Sequence, residues 1–190
     1  MQLLDYEPDA IDVRIADLLT ATSEAADPLL HPKVQEALHT LRTHLSMDAV
    51  FVSQFRNGRR NFRVVDTAVG HTLVRAGQSD PLEESWCQHV VSGRLPQFVK
   101  DARPFVQAGT VPAAQAEIGT HLSTPVVLKN GEVYGTLCCY STQVQEDVTP
   151  LELRRLRAAA QLLADKLHGE GVGAELELQP LQPDLPRGRR

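Results

Sequence analysis

The chain has 190 residues, 42% of them hydrophobic and 23% charged, the balance of one ordinary globular domain with a sizeable core. A net charge of -5, with acids and bases interspersed and only Arg187, Gly188, Arg189 and Arg190 forming a basic cluster, excludes a nucleic-acid platform, which needs a basic face. Three cysteines, two of them adjacent, exclude a disulfide framework; no apolar run is as long as a signal or membrane segment, so a reduced cytoplasmic protein with no membrane partner is expected.

An N-terminal helical extension is expected over residues 1–29. Pro8 suits a first turn, and Ile11, Ile15, Leu18 and Leu19 recur at helical spacing before Pro28 and Pro32 interrupt the pattern. From Val34 the stripe resumes at Leu38, Leu41 and Leu45, with Gln35, Glu36, Arg42 and Thr43 opposite, as an amphipathic helix ending near Ser46.

The period changes at Asp48. AVFVSQF and NFRVVDTAV, separated by Asn57-Gly58-Arg59-Arg60, form a first hairpin. STPVVLK and EVYGTLCCYS flank Asn130-Gly131 and form a second, whose tight two-residue turn asks for positive φ at both positions. Residues 71 to 120, between the hairpins, have no long period. An excursion of that length is a functional covering segment or a disordered one.

Thr149-Pro150-Leu151-Glu152 opens a last helix, with Thr as cap, Pro in the first turn and Glu reaching back. Leu153, Leu156, Ala160, Leu163 and Leu167 then form a seam that suits the domain's own sheet and a partner helix equally. Beyond it, 169–190 runs into LELQPLQPDLPRGRR and is expected to be a disordered tail. The elements together predict an α+β domain, with an antiparallel sheet, helices on one face and a lid-like segment on the other.

SMDAVFVSQF, ESWCQHVVSGRLPQFVKDA, IGTHLSTPVVLKNGEVYGTLCCYS and the closing amphipathic helix, over residues 30–168, resemble the GAF domain family of small-molecule-sensing modules. The resemblance implies five or six antiparallel strands, the N- and C-terminal helices behind them, and a ligand cavity in front under the 71–120 segment. It leaves the ligand open, because relatives bind cyclic nucleotides, bilins, haem, other small molecules or nothing.

The residues disfavour three of those ligands. Cyclic-nucleotide members carry an Asn-Lys, whereas Asn57, Asn61 and Asn130 precede Gly, Phe and Gly. Bilin-binding members attach their chromophore to a cysteine followed directly by histidine, whereas Cys87 precedes Gln88, and His89 comes one place late. His71 and His121 are conceivable haem ligands without a motif to select them. Cys87 and His89, two apart on a helix, point away from each other and cannot share a metal ion. HExxH, GxxxxGK and GxSxG are all absent, so no enzyme is expected.

Trp86, Cys87, Val90 and Val91 predict the apolar face of a short helix ended by Gly93, with Cys87 a small buried hydrophobe and with Glu83 and Glu84 offsetting any helix-terminus field. Val99, Asp101 and Phe105 follow it over the sheet. On the last strand, Val133, Gly135, Leu137 and Cys139 are assigned to the helices, with Gly135 letting them approach closely. Tyr134, Thr136, Cys138 and Tyr140 are assigned to the cavity. The expected pocket wall is therefore Trp86, Cys87, Asp101, Ser123, Thr136, Cys138 and Tyr140, around an unidentified small molecule.

The expected function is non-catalytic sensing through the terminal helices, with a downstream signalling protein as partner. A ligand-free dimerisation or interaction module is the alternative. A third reading, a redox enzyme of the free methionine sulfoxide reductase type, rests on the cysteines alone. A homodimer through the terminal helices is expected, with the leucine seam left outward if Leu162 and Ala159 face the sheet in its place.

Overall fold

The structure, a computed structural model, describes residues 8–22, 27–112 and 118–169. Its elements are α1 (Ala10–Thr20), α2 (Pro32–Leu45), β1 (Ala49–Arg56), β2 (Arg59–Thr67), β3 (Ser79–Pro81), α3 (Trp86–Val91), β4 (Phe98–Val99), α4 (Arg103–Gln107), β5 (Thr120–Val127), β6 (Val133–Ser141) and α5 (Pro150–Gly169). The tail expected over 169–190 lies outside the described residues, apart from Gly169 at the end of α5.

Local chemistry places the helix ends. Asp9 caps α1 by accepting the Ile11 and Asp12 amides at 3.0 and 3.1 Å, and the Asp12 carboxylate accepts the Asp9 amide in return. Ser46 ends α2 in the left-handed conformation. At the start of α5 the Glu152 carboxylate accepts the Thr149 amide at 3.0 Å.

The strands form one antiparallel sheet in the order β3-β2-β1-β6-β5-β4, so the α+β architecture is as expected, and the covering segment supplies both edge strands. Each face has its own core. On one, Val50, Val52, Val64, Leu122, Val126, Leu137 and Cys139 pack against the leucines of α2 and α5. On the other, Phe51, Phe62, Cys138 and Tyr140 meet Cys87 from α3. Each fully buried leucine contributes about 1.5–3 kcal/mol, which favours docking of both helices.

Alternation along β6 breaks at one residue. Val126 pairs with Gly135 but Val127 pairs with Val133, so Tyr134 is extra and its ring joins the helix-side core, not the cavity side. Gly135, expected to make room for the helices, makes room for a strand: a Cβ there would lie 2.0 Å from the Ser53 carbonyl oxygen of β1.

The two hairpin turns also differ from expectation. Asn57 and Gly58 form the two-residue turn, with φ of 54° and 69°, while Arg59 and Arg60, expected in the connection, already belong to β2. In the second hairpin the Leu128 amide donates to the Glu132 carbonyl at 2.8 Å, leaving Lys129, Asn130 and Gly131 as a longer loop in which Gly131 alone has positive φ. Asn-Gly suits both turns; the extra residue in β6 is accommodated beside the longer one.

The α5 seam does not face outward. Leu156, Ala160, Leu163 and Leu167 are buried, Leu153 is half-buried, and all share one core with Ile15, Leu18 and Leu19 of α1. Arg155, itself only 3% exposed, holds α1 in place through Asp9 at 2.5 Å and Asp12 at 2.6 Å, with Glu152 at 3.4 Å. His44 Nε2 lies 2.9 Å from the same guanidinium. The row of leucines is thus used within the chain.

Two glycine variants separate close approach from conformational need. Gly135→Ala is expected to cost about 3 kcal/mol or more, because β1 and β6 must separate. Gly131→Ala has open space and pays only for positive φ, about 1–2 kcal/mol. Urea denaturation of both variants measures the difference, and equal costs would refute the assignment.

Candidate functional site

The cavity lies between the sheet and the covering segment, with a volume of about 450 Å³. Its floor is aromatic: Phe51 and Phe62 meet edge to face at 4.9 Å, and Tyr140 lies on the same face. Its cover includes Trp86, whose indole N–H donates to the Pro112 carbonyl at 3.2 Å and whose ring meets His121 at 5.3 Å. Gln78, Ser79, Asp80 and Glu84 add polar groups along the wall.

Arg60 joins the two layers. Its guanidinium lies 4.7 Å from the Phe62 ring centre and 5.7 Å from that of Phe51. Nε donates to Asp80 on β3 at 2.9 Å, a second nitrogen pairs with the other Asp80 oxygen, and Nη1 donates to Cys87 Sγ on α3 at 3.2 Å. A buried cation is thereby matched by two acceptors.

Cys87 is therefore more than a buried hydrophobe. It is fully buried, as expected, but Arg60 donates a hydrogen bond to its sulfur. The neighbouring Cys138 thiol, followed by the Arg60 charge, holds the Cys87 thiol down to about 5 against the opposing effect of burial. Cys138 moves the other way: burial and the neighbouring Cys87 raise it well above an ordinary thiol. The pair shares one proton, kept on the cavity-facing sulfur.

His121 stands beside that sulfur, with Nε2 at 3.3 Å from Cys138 Sγ. Burial, and secondarily the Arg60 charge, lowers its pKa to about 3, so the imidazole is neutral at physiological pH. Its Nδ1 and the Ser123 Oγ are buried without a hydrogen-bond partner among the described residues. Such groups cost free energy unless something else satisfies them.

The expected wall residues divide into three groups. Trp86, Cys138 and Tyr140 line the cavity. Cys87, Thr136 and Ser123 lie behind that surface, Thr136 with its hydroxyl 2.9 Å from Ser53 Oγ. Asp101 lies away from it; its carboxylate accepts from Arg103 at 2.7 and 2.8 Å. Tyr140 is tied to His71 Nε2 at 2.7 Å, and His89, also buried, is satisfied by the Ser85 carbonyl at 3.0 Å.

Sequence reasoning missed Arg60 and Asp80, and it considered His121 only as an iron ligand. Alternation could have found Arg60, which shares strand parity with Phe62 once Arg59 is placed in β2 rather than in the turn. Among the described residues, no group of three or more His, Cys, Asp or Glu side chains could hold a metal ion.

The GAF domain model matches residues 34–168, most of the chain. The chain belongs to the GAF domain family. No curated protein matches it. Among solved structures, the fold resembles the GAF domain of an Acinetobacter phosphoenolpyruvate-protein phosphotransferase, at TM-score 0.68 and 15% identity over 88% of this chain and 96% of that one. Free methionine-R-sulfoxide reductase from Neisseria meningitidis, in complex with its substrate, gives 0.64 at 11% identity over 92% and 100%. The phycoerythrobilin-bound GAF domain of a cyanobacterial phytochrome gives 0.61 at 13% identity over 86% and 95%. Helix α1 lies outside the residues that the family model matches, and Arg155 fastens it to the domain.

The buried imidazole predicts a pH dependence of stability. Unfolding returns His121 from about 3 to its ordinary 6.5, so between those values the unfolded state binds the extra proton. Its stability contribution is therefore complete above pH 6.5 and lost as pH falls towards 3, at about tenfold in the folding constant per pH unit. Urea denaturation from pH 7 to pH 4 should show a steeper loss for the wild type than for His121→Gln; parallel curves would refute the assignment.

Proposed function

We propose that this GAF domain is a non-catalytic sensory module of the cytoplasm, which binds a small molecule in the cavity between the sheet and the 71–120 segment. One observation carries the reading: a cavity of about 450 Å³ whose wall includes His121, a buried imidazole with Nδ1 left without a hydrogen-bond partner among the described residues. The aromatic floor and cover suit a planar or partly apolar ligand. Arg60, the cation on the wall, is already matched by Asp80 and Cys87, which makes an uncharged ligand a better fit than a strongly anionic one.

Two neighbours in fold support small-molecule binding in general: the Neisseria enzyme is in complex with its substrate and the cyanobacterial domain holds phycoerythrobilin. The route to an output runs through β5 and β6. His121 and Cys138 face the cavity side, while Leu122 and Cys139, next to them in the chain, pack in the core shared with α2 and α5. A ligand that shifts the strands shifts those helices, and a downstream signalling protein would read them. A homodimer on the terminal helices would have to use their outer faces or displace α1, since the leucine seam is buried within the chain.

Native mass spectrometry and thermal denaturation test the reading together. A ligand at a hundred times its Kd stabilises the fold by about 2.7 kcal/mol, an increase in Tm of several degrees. Val74→Trp, on the cavity wall, is expected to abolish both the noncovalent mass adduct and the ligand-dependent rise in Tm while leaving a folded protein. An adduct or a Tm shift that survives the substitution would refute binding in this cavity.

A further inference from the structure

We propose that Cys87 and Cys138 are a redox pair that a hydroperoxide entering the cavity converts to a disulfide between α3 of the covering segment and β6 of the sheet. The inference rests on the cavity reading above and names the class of molecule that the cavity senses.

The geometry contains each part such a step needs. Cys138 lines the cavity, and Cys87 is buried in the same cluster of side chains on that face of the sheet. Arg60 Nη1 donates to the Cys87 sulfur at 3.2 Å and stabilises negative charge on the pair. Neutral His121 has Nε2 at 3.3 Å from the Cys138 sulfur. Cys139 points into the helix-side core and takes no part; burial pushes its thiol up to about 12.

The chemistry balances. Cys138 passes its proton to the Cys87 thiolate, and its sulfur attacks the terminal peroxide oxygen. The O–O bond breaks, Cys138 becomes a sulfenic acid, and the leaving alkoxide or hydroxide recovers the proton from Cys87. The Cys87 thiolate then attacks the Cys138 sulfur; the S–O bond breaks, hydroxide leaves and takes a proton from solvent, and the S–S bond forms. Two sulfurs have each lost one electron and the peroxide bond has gained two. A thiol reductant reverses the product by exchange.

Among oxidants, a hydroperoxide suits this site better than a charged amino-acid sulfoxide. The guanidinium on the cavity wall already bonds Asp80 and Cys87, whereas a neutral peroxide needs only access to one sulfur. The charged or titratable groups that line the cavity with Cys138 are Arg60 from β2, Asp80 from β3, His121 from β5, Tyr140 from β6 and Glu84 before α3. Asp80 is paired with Arg60, His121 is neutral and burial raises Tyr140, so the pair's shared proton dominates the response above about pH 5.

The test uses the full chain and hydrogen peroxide, followed by intact mass and peptide mapping. The expected product has lost two hydrogens and contains a Cys87–Cys138 crosslink, restored by dithiothreitol; Cys139→Ser should behave as wild type. Cys87→Ser, which removes both the resolving sulfur and the proton acceptor, should form no crosslink and should give a dimedone-reactive sulfenic acid at Cys138 only slowly. The wild-type oxidation rate should change less than about twofold between pH 8 and pH 6, whereas an ordinary thiol of pKa about 8.5 would slow by about a hundredfold. Arg60→Gln should make the profile steeper than that of the wild type; should it fail to fold, the wild-type profile decides alone. A crosslink through Cys139, no crosslink, a steep wild-type profile, or oxidation by methionine sulfoxide but not by peroxide would each overturn the proposal. These outcomes are independent of the Val74→Trp adduct experiment, so loss of the redox pair and loss of the ligand site are distinguishable.

Discussion

Burying the guanidinium of Arg60 is the constraint on which the covering segment depends. A cation on an apolar, aromatic sheet face is costly unless acceptors surround it. Here the acceptors come from different places in the chain: Asp80 on the edge strand β3 and Cys87 on α3. Satisfying one side chain of β2 therefore docks two pieces of the 71–120 segment on the sheet. Aromatic rings beneath the guanidinium add cation–π attraction without competing for its donors.

The opposite face solves a different problem with similar means. Its apolar strands are covered by α2 and α5, and α1 then packs with them in the same core. Arg155 directs that last step, since its buried charge needs Asp9 and Asp12 from α1. One buried arginine thus anchors the front of the sheet and another the back. Both anchors combine charge with several hydrogen bonds, which gives them directional specificity that apolar packing lacks.

Between the two cores lies a sheet whose central strands cannot move apart freely. Gly135 lets the β1 backbone approach so closely that any side chain there would collide with it. Cys138 faces the cavity and its neighbour Cys139 the helices, so the strands couple two packed interiors across one layer. Close-packed interiors respond by shifting as units rather than by yielding locally. That is the mechanical basis for a sensory reading, whichever small molecule occupies the cavity. Identities of 11 to 15% to the structures of this fold described above carry the architecture and leave the chemistry of the site to this chain's own residues.

Local chemistry in the sequence determined the cap of α5, the apolar stripes of α2 and α5, the alternation that separates Leu137 and Cys139 from Cys138 and Tyr140, and the α+β class, whereas Pro8, expected in the first turn of α1, precedes its Asp9 cap. These features depend on residues within a few positions of one another, and periodicity reports them directly. Tertiary structure alone decided the rest. Asn-Gly fits both hairpin turns, so register, not turn chemistry, placed Arg59 and Arg60 in β2 and turned Tyr134 to the helices. The exposure of the α5 seam depended on whether α1 returned to cover it. The state of Cys87 depended on a guanidinium 27 positions earlier and a thiol from β6. Ionisation in a buried site follows the charges and donors that folding brings within a few ångströms, and those distances are not encoded in any local pattern.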